Sequence, residues 1–183
     1  IPMLMLSSLV DDRKDLQDEV TLEIWHSLGG EQTIHAPELQ IGYEYTTEEN
    51  GKSKTERRTR TKRAVEANLE GNADVEILHR SIYEIPVYTA DMTITGKFQL
   101  EGNDLTSQTE DLRFCLPLGE HKGLKGRPAV VINGKEYLFE IDKEGLYVNV
   151  SPQVLNADLT LEYAITVKSD GMTTLNFEPN AKN

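Results

Sequence analysis

The 183 residues suit one domain, or two small ones that share an interface, and with 38% hydrophobic and 27% charged residues the composition is that of an ordinary globular protein. Nineteen Lys and Arg stand against 31 Asp and Glu, which gives a net charge of −12. This balance argues against nucleic acid as the main partner, because phosphate binding needs a local excess of cations, and it disfavours broad adhesion to an anionic membrane surface.

The chain starts with an apolar stretch, IPMLMLSSLV, which changes abruptly to the charged run DDRKD at residue 11. No segment reaches the ~20 apolar residues that a membrane-spanning helix needs. A signal peptide or a membrane anchor could each leave such a start. Because cleaved signals leave small residues at the cut, the Ile-Pro-Met start favours the end of a truncated anchor.

Residues 7–28 are predicted to form one long amphipathic helix. Apolar residues at spacings of seven and four fall on one stripe, which we expect to pack on the rest of the domain. The stripe consists of Leu9, Leu16, Val20, Ile24 and Leu28. Gly29-Gly30 then ends the helix, since glycine readily adopts the left-handed cap conformation. Residues 1–30 are therefore assigned to the end of an anchor and a juxtamembrane helix.

The sequence after Gly30 is typical of strands and turns, and it contains no second helical pattern. We predict a mainly β fold for residues 31–183, a β-sandwich or partly open barrel of antiparallel strands. The polar stretch at 101–110 could separate two β-modules. The predicted turns are Asn50-Gly51, Gly71-Asn72, Glu101-Gly102-Asn103, Asn133-Gly134, Glu144-Gly145 and Asp170-Gly171.

Residues 86–100 are predicted to form a long strand with one buried and one solvated face, because apolar residues occupy the even positions. Before Pro86 the apolar residues change to odd positions, which indicates a bulge, a bend between sheets, or a segment buried on both faces. Gly96 interrupts the apolar row and indicates a bend or the close approach of another backbone. The predicted core residues are Tyr88, Met92, Ile94 and Phe98.

The sequence contains no serine-hydrolase elbow, phosphate loop, dinucleotide fingerprint or His-Glu-x-x-His motif. We therefore predict no catalytic residues, no metal and no cofactor. Cys115 has apolar neighbours and is interpreted as a buried core thiol in preference to a reactive nucleophile. The histidines lack the spacing of metal ligands: His26, His35, His79 and His121.

A basic run from residue 52 to residue 63 holds seven of the nineteen cations. It lacks the interleaved aromatic residues of single-strand nucleic-acid sites. With a two-residue turn before it, Glu44 would face Arg57 and Tyr43 would face Arg58, so that the run forms a solvated strand neutralised by its neighbour. The alternative is a patch that docks on lipid headgroups or on an acidic partner. The candidate surface residues are Arg57, Arg58, Arg60, Lys62 and Arg63.

The loop GEHKGLKG, residues 119–126, is the second candidate site. It presents Glu120, His121 and Lys122 among three glycines, so backbone amides could face a ligand. A mobile connection between two strands fits the same residues. A ligand-sensing or hydrolytic domain that uses this loop is the alternative to a non-enzymatic module.

The stretch SIYEIPVYTADMTITGKF, residues 81–98, resembles the signature of the CreD family of inner membrane proteins. The matching residues are Ile82, Tyr83, Glu84, Val87, Tyr88, Ala90, Gly96 and Phe98. IPMLMLSSLVDDR is similar to the end of the family's first membrane helix, and GEHKGL to a family turn. Ser81, Glu120 and Lys122 depart from the family pattern.

The resemblance implies a truncated extracytoplasmic portion of an inner membrane protein, on the periplasmic side, with a membrane helix that precedes this chain. It also implies a role in cell envelope integrity, induction by the CreBC two-component system, and an association with colicin tolerance and β-lactam response. We accordingly expect a non-enzymatic module whose partners are envelope proteins or lipids and not nucleic acid.

Overall fold

The structure is a computed structural model that describes residues 2–28, 30–49, 52–80, 82–105, 109–119, 121–172 and 174–178. One helix at the N-terminal end is followed by strands. The elements are α1 (Pro2–Leu28), β1 (Gln32–His35), β2 (Glu38–Glu49), β3 (Lys52–Arg63), β4 (Glu66–Arg80), β5 (Tyr83–Gln99), β6 (Thr109–Pro117), β7 (Leu124–Ile132), β8 (Lys135–Leu138), β9 (Glu140–Ile141), β10 (Gly145–Val150), a 3-10 helix (Pro152–Val154), β11 (Thr160–Met172) and β12 (Leu175–Glu178).

Two antiparallel five-stranded sheets form a β-sandwich. Sheet I has the strand order β3-β2-β6-β10-β9, and sheet II has the order β4-β5-β11-β7-β8. Strands β1 and β12 form a separate parallel pair. In the described part of the chain each five-stranded sheet ends in two different strands, so neither sheet closes on itself. The predicted mainly β sandwich with one long N-terminal helix is confirmed.

The inner faces of the two sheets meet in an aromatic cluster. The ring of Phe114 in sheet I lies 5.8 Å from that of Phe98 and 5.2 Å from that of Tyr163, both in sheet II, measured between centroids. Phe139 extends the cluster at 6.2 Å from Phe114. Edge-to-face aromatic contacts add to the stabilisation from apolar burial, so this cluster is the centre of the core.

Strand β5 has the two faces that the alternation predicts. The predicted core residues Tyr88, Met92, Ile94 and Phe98 are all buried. Odd positions such as Asp91 and Thr93 are exposed.

The change of apolar phase at Pro86 arises because the buried face of β5 changes there: Ile85 is buried on the odd face, whereas Glu84 and Pro86 on the even face are exposed, so none of the three predicted explanations applies. The pairing of β5 with β4 and with β11 continues through this point with no shift in register. Ile85 is buried on the outer face of sheet II, where it packs with Ile24 of α1 and Met172 of β11. Helix α1 therefore covers the one face of these first residues of β5 that is buried.

Helix α1 ends at Leu28, directly before the predicted glycine stop, but begins at Pro2 instead of residue 7. Ile24 is 2% exposed, and Val20 and Leu28 pack against the same cluster, which confirms these members of the stripe. Leu16 is 52% exposed, so its predicted burial is wrong. The apolar patch of sheet II that meets α1 lies opposite the C-terminal half of the helix. The side chain of Leu9 lies outside the described residues.

Two predicted turns are wrong, because the glycines lie inside long strands. Gly71 pairs with Met92 in the β4–β5 ladder, and Gly171 pairs with Tyr88 in the β5–β11 ladder. A Cβ at Gly171 would overlap the hydroxyl of Tyr88. The glycine therefore makes room for a neighbouring side chain and does not reverse the chain.

The turn at Asn133-Gly134 is confirmed, and both residues have positive φ, 45° and 81°. Asn50-Gly51 lies outside the described residues, although Glu49 and Lys52 on either side are paired. Gly96 is a point of close backbone approach, because a Cβ there would overlap the carbonyl oxygen of Glu66.

The segment 101–110 connects strands that share one core. Strand β2, before this segment, pairs with β6, after it, and β5 pairs likewise with β11. Both sheets therefore combine strands from before and after the segment that was predicted as the boundary between two β-modules. Buried side chains from both sides form one continuous cluster.

Truncation of Phe98 to alanine should reduce the free energy of unfolding by about 3–5 kcal/mol, because the ring is fully buried between Phe114 and Tyr163. Thr93→Ala, on the exposed face of the same strand, should cost well under ~1 kcal/mol. Urea titration of both variants measures the difference. Equally mild losses would mean that the inside and outside faces of β5 are assigned wrongly.

Substitution of Ile24 by serine should destabilise the fold by about 1–3 kcal/mol, since it places a hydroxyl in the apolar contact between α1 and sheet II. Leu16→Ser is the matched control on the exposed part of the same helix and should change stability by no more than about 0.5 kcal/mol. Thermal melting checks both. An unchanged melting temperature for Ile24→Ser would contradict the packing of α1.

Candidate functional site

A cleft of about 270 Å³ opens at one end of sheet I, where β2 begins, β3 and β6 end, and β10 begins. Its walls combine apolar side chains with a few charged ones. The lining residues include His35, Pro37, Glu38, Gln40, Arg63, Ala64, Arg113, Cys115, Pro117, Asp142, Glu144 and Tyr147. Concave sites of this size with a small number of polar groups are typical of ligand and peptide binding.

The alternation of β6 decides which side chains enter the cleft. Phe114 and Leu116 point into the sandwich core and are fully buried. Arg113 and Cys115 therefore lie on the outer face of sheet I. In the β6–β10 ladder Tyr147 is the direct partner of Cys115, which brings its ring to the same face.

Arg113 is held in a fixed orientation. Its guanidinium group forms an ion pair with Asp142, and its Cζ lies 3.7 Å from the centroid of the Tyr147 ring. The buried Nε of Arg113 has no hydrogen-bond partner among the described residues. A buried N–H that is left unpaired costs free energy, so this group favours an acceptor from a ligand or from solvent.

The acidic side of the cleft is fixed by backbone amides. The amides of Glu144 and Gly145 donate to Oδ1 of Asp142 at 2.8 Å and 3.2 Å. Burial alone would raise the pKa of Asp142. The hydrogen bond from the Glu144 amide and the charge of Arg113 together have a larger effect, so the pKa lies below its ordinary value. The Asp142 carboxylate is therefore ionised at neutral pH and compensates the charge of Arg113.

Cys115 is half-buried in the cleft, and its prediction as a core thiol is wrong, because the alternation of β6 turns it away from the core. Burial raises its pKa to about 11, which the nearby Arg113 cation only partly opposes. Its Sγ makes a weak hydrogen bond to the carbonyl oxygen of Arg113 at 3.7 Å. At neutral pH the thiol is protonated and a poor nucleophile.

The Cys115 thiol should react with Ellman's reagent about two orders of magnitude more slowly in the folded chain than in urea at about pH 8, because an unperturbed thiol ionises near ~8.5. The rate should rise as the pH approaches about 11. Because the pKa of the Cys115 thiol is higher in the folded chain than in the unfolded chain, the protonated thiol stabilises the fold at pH values below the unfolded-state pKa. This contribution is lost as the pH rises through about 11. Equal reaction rates in the folded and unfolded chain would contradict the raised pKa of Cys115.

The basic run forms β3, an edge strand of sheet I, as the predicted hairpin requires. Glu44 pairs with Arg57 and Tyr43 with Arg58 in the β2–β3 ladder. The ion pair of Arg57, however, is with Asp111 of β6 at 2.8 Å. This ion pair passes over β2 at Gly42, where a Cβ would overlap the Asp111 carboxylate.

Three of the other candidate cations of this run, Arg58, Arg60 and Lys62, lie close to carboxylates or aromatic rings. Arg60 and Lys62 contact the buried carboxylate of Asp104 at 3.3 Å and 2.7 Å. Burial raises the pKa of Asp104, but the Glu101 amide and these two cations hold it below its ordinary value. Arg58 lies 4.7 Å from the centroid of the Tyr45 ring and 3.8 Å from Glu56, and Arg63 lines the cleft.

The 119–126 loop carries the chain from sheet I to sheet II. The amide of Gly119 donates to Thr33 at 2.9 Å, and the carbonyl of Gly123 accepts from the amide of Asp170 at 2.8 Å. A Cβ at Gly123 would overlap the Asp170 carbonyl and lie 3.0 Å from the carbonyl oxygen of Leu28. Close packing therefore explains the glycine at this position.

The predicted loop residues have different environments. Lys122 is exposed and His121 is half-buried, whereas Glu120 lies outside the described residues. The Nε2 of His121 and the Nε2 of Gln32 are buried without a hydrogen-bond partner in the described chain. Gln32 lies directly beside Gly123.

Across the described ranges, no three His, Cys, Asp or Glu side chains come together in a way that could hold a metal ion. His35 lies 3.2 Å from Glu178, and His79 lies 3.2 Å from Glu84. The histidines are thus scattered over separate elements, as their spacing predicts.

The cleft residues Arg113, Asp142 and Tyr147 were not predicted from the sequence. The signal for Arg113 was present, because a strand that buries Phe114 must turn its neighbours outward. The contribution of Asp142 depends on the β9–β10 turn, which local sequence does not position against β6.

The fold and the cleft define a β-sandwich module with a helix packed on one sheet. A protein-family model described as inner membrane protein CreD matches residues 1–183. The chain therefore belongs to the CreD family of inner membrane proteins, as the sequence resemblance implies. Searches of curated proteins and of solved structures each gave no match. The helix that the structure describes is not long and apolar enough to cross a membrane.

Proposed function

We propose that this chain is a non-enzymatic module on the periplasmic side of an inner membrane protein, and that it supports cell envelope integrity and the stress response by binding envelope components. In this proposal a membrane helix precedes α1, and the β surface makes the contacts. Membership of the CreD family supports the membrane association. The cleft on sheet I supports the binding role.

The chemistry of the cleft favours binding over catalysis. A nucleophilic thiol needs a lowered pKa or an adjacent base, whereas Cys115 has a raised pKa and bonds to a backbone carbonyl. The Arg113 cation is compensated by Asp142, and its remaining buried donor suits a carbonyl group. Catalytic residues are not proposed.

The single observation that carries the proposal is the cleft with apolar walls that presents the Arg113 side chain, which is 34% exposed. Pro37, Ala64 and Pro117 offer apolar contact area, and the guanidinium N–H offers one directional hydrogen bond. A segment of polypeptide supplies both an apolar side chain and a carbonyl acceptor. An envelope protein is therefore the favoured partner of the cleft, and a lipid headgroup is the less favoured one because the cation is already neutralised.

Photocrosslinking in cells tests this partner. A photoreactive amino acid replaces Glu144 at the rim of the cleft or, as a matched control, Glu136 on the exposed strand β8 of the full-length protein. We expect a discrete crosslinked protein, identified by mass spectrometry, from position 144 and not from position 136. Arg113→Gln should remove this product, whereas Arg58→Gln, which lies outside the cleft, should not.

The same cells can be used to determine on which side of the inner membrane the module lies. A maleimide that cannot cross membranes should label Glu136→Cys in cells whose outer membrane alone is permeabilised. Labelling only after the inner membrane is broken would contradict the periplasmic placement. Equal crosslinking from positions 144 and 136 would contradict the cleft as the contact surface.

Ligand sensing by the 119–126 loop is the second candidate, and the unpaired buried nitrogens of His121 and Gln32 favour it. A loop ligand would be lost in His121→Ala and kept in Arg113→Gln. Crosslinking from a photoreactive residue at Lys122 separates the two candidates, because only a loop ligand predicts a product that depends on His121.

A further inference from the structure

The hairpin formed by β4 and β5 extends beyond the rest of sheet II. Among the described residues, β5 pairs with β11 from Val87 onward, while its first residues, Tyr83 to Pro86, pair with β4. Four residues of strand correspond to about 13 Å. The hairpin tip therefore extends past the described end of β11, with one face packed on α1.

The projecting part of the hairpin exposes large apolar side chains. Ile82 at the tip is 68% exposed and Ile77, the partner of Pro86 on β4, is 51% exposed. Acidic and basic side chains flank them, among them Arg80 and Glu84. Single exposed apolar side chains are common on protein surfaces, so the position of Ile82 relative to α1 decides whether it is a contact site.

Helix α1 places this tip beside the point where the sequence changes from apolar to charged. The hydroxyl of Tyr83 donates to the carbonyl oxygen of Arg13 at 2.8 Å. Val10, the last residue of the apolar start, is three residues away, or about 4.5 Å along the helix axis. Toward residue 2 the helix continues for about 16 Å past Arg13, first through Asp12 and Asp11 and then through the mainly apolar stretch PMLMLSSLV.

We propose that the tip of the β4–β5 hairpin rests on the lipid bilayer and inserts Ile82 into its interfacial layer. This inference rests on the proposed function, in which α1 leads out of the membrane. The bilayer is the favoured occupant because the chain belongs to an inner membrane family and the apolar start of α1 lies level with the tip. Asp11 and Asp12 lie beside Arg13 and Lys14, so apolar insertion and not net positive charge provides the attraction.

Site-specific fluorescence on vesicles tests the contact. In a Cys115→Ala background, Ile82→Cys carries an environment-sensitive fluorophore, and an N-terminal histidine tag tethers the chain to phosphatidylcholine vesicles that contain a nickel-chelating lipid. The matched control is Val131→Cys, an exposed apolar position on β7. Val131 pairs with Ala164 of β11, and Ala164 pairs with Thr95 of β5. Thr95 lies roughly 40 Å along β5 from the hairpin tip.

Tethering should shift the emission at position 82 to shorter wavelength and increase quenching by nitroxide-labelled lipid chains several-fold, with neither change at position 131. Equal signals at both positions would overturn the proposal. A blue shift at position 82 without lipid quenching, dependent on protein density, would overturn it in favour of contact between copies. Melting temperatures equal to that of the Cys115→Ala parent verify that both labelled variants are folded.

The vesicle experiment and the labelling in cells fail independently. If Glu136→Cys is reached only from the cytoplasm, the proposed periplasmic function is wrong, but contact of the tip with a bilayer is still measured on vesicles, which have no assigned side. If position 82 stays in water while Glu136→Cys is labelled from the periplasm, only the hairpin contact is wrong.

Discussion

The inward placement of Phe114 in β6 is the constraint on which the two faces of sheet I depend. Its ring packs between Phe98 and Tyr163 and joins the two sheets. Because strand side chains alternate, this contact sends Arg113 and Cys115 to the outer face. A shift of one residue would bury a guanidinium group in the core and expose a phenylalanine, at a cost of many kcal/mol, so the core fixes the cleft.

Helix α1 is attached to the sandwich at successive points along its length. Tyr83 binds the carbonyl of Arg13, Ile24 packs with Ile85, and the carbonyl of Leu28 lies against Gly123. Contacts spread from residue 13 to residue 28 of a helix resist rotation better than contacts at one end. The module is thereby held in one orientation relative to the axis of α1, and the position of the hairpin tip beside the helix follows from this attachment.

Local patterns predicted the layers of the fold because alternation and glycine stops are local signals. The buried residues of β5, the end of α1 at Leu28 and the Asn133-Gly134 turn follow from them. Sequence alone could not separate a glycine that turns the chain from one that admits a neighbour, as at Gly171 against Tyr88. The exposure of Leu16 depends on where the apolar patch of sheet II ends, which is a property of the assembled sheet.

The candidate sites were harder to predict because their partners come from distant parts of the chain. The carboxylates that neutralise β3, Asp104 and Asp111, lie more than forty residues away from the cations that they bind. Only the run of cations is visible in the sequence, so it resembles a free basic patch.

These ion pairs also explain how an acidic chain can belong to a membrane protein. With a net charge of −12 and four of the five candidate cations of β3 held beside carboxylates or aromatic rings, electrostatic attraction to anionic lipid is weak. The proposed membrane contact therefore relies on apolar surface, and the exposed Ile82 is next to Tyr83, which binds α1 at Arg13. The cleft, with a neutralised guanidinium and apolar walls, has a different chemistry, so the two surfaces suit different partners and can be occupied at the same time.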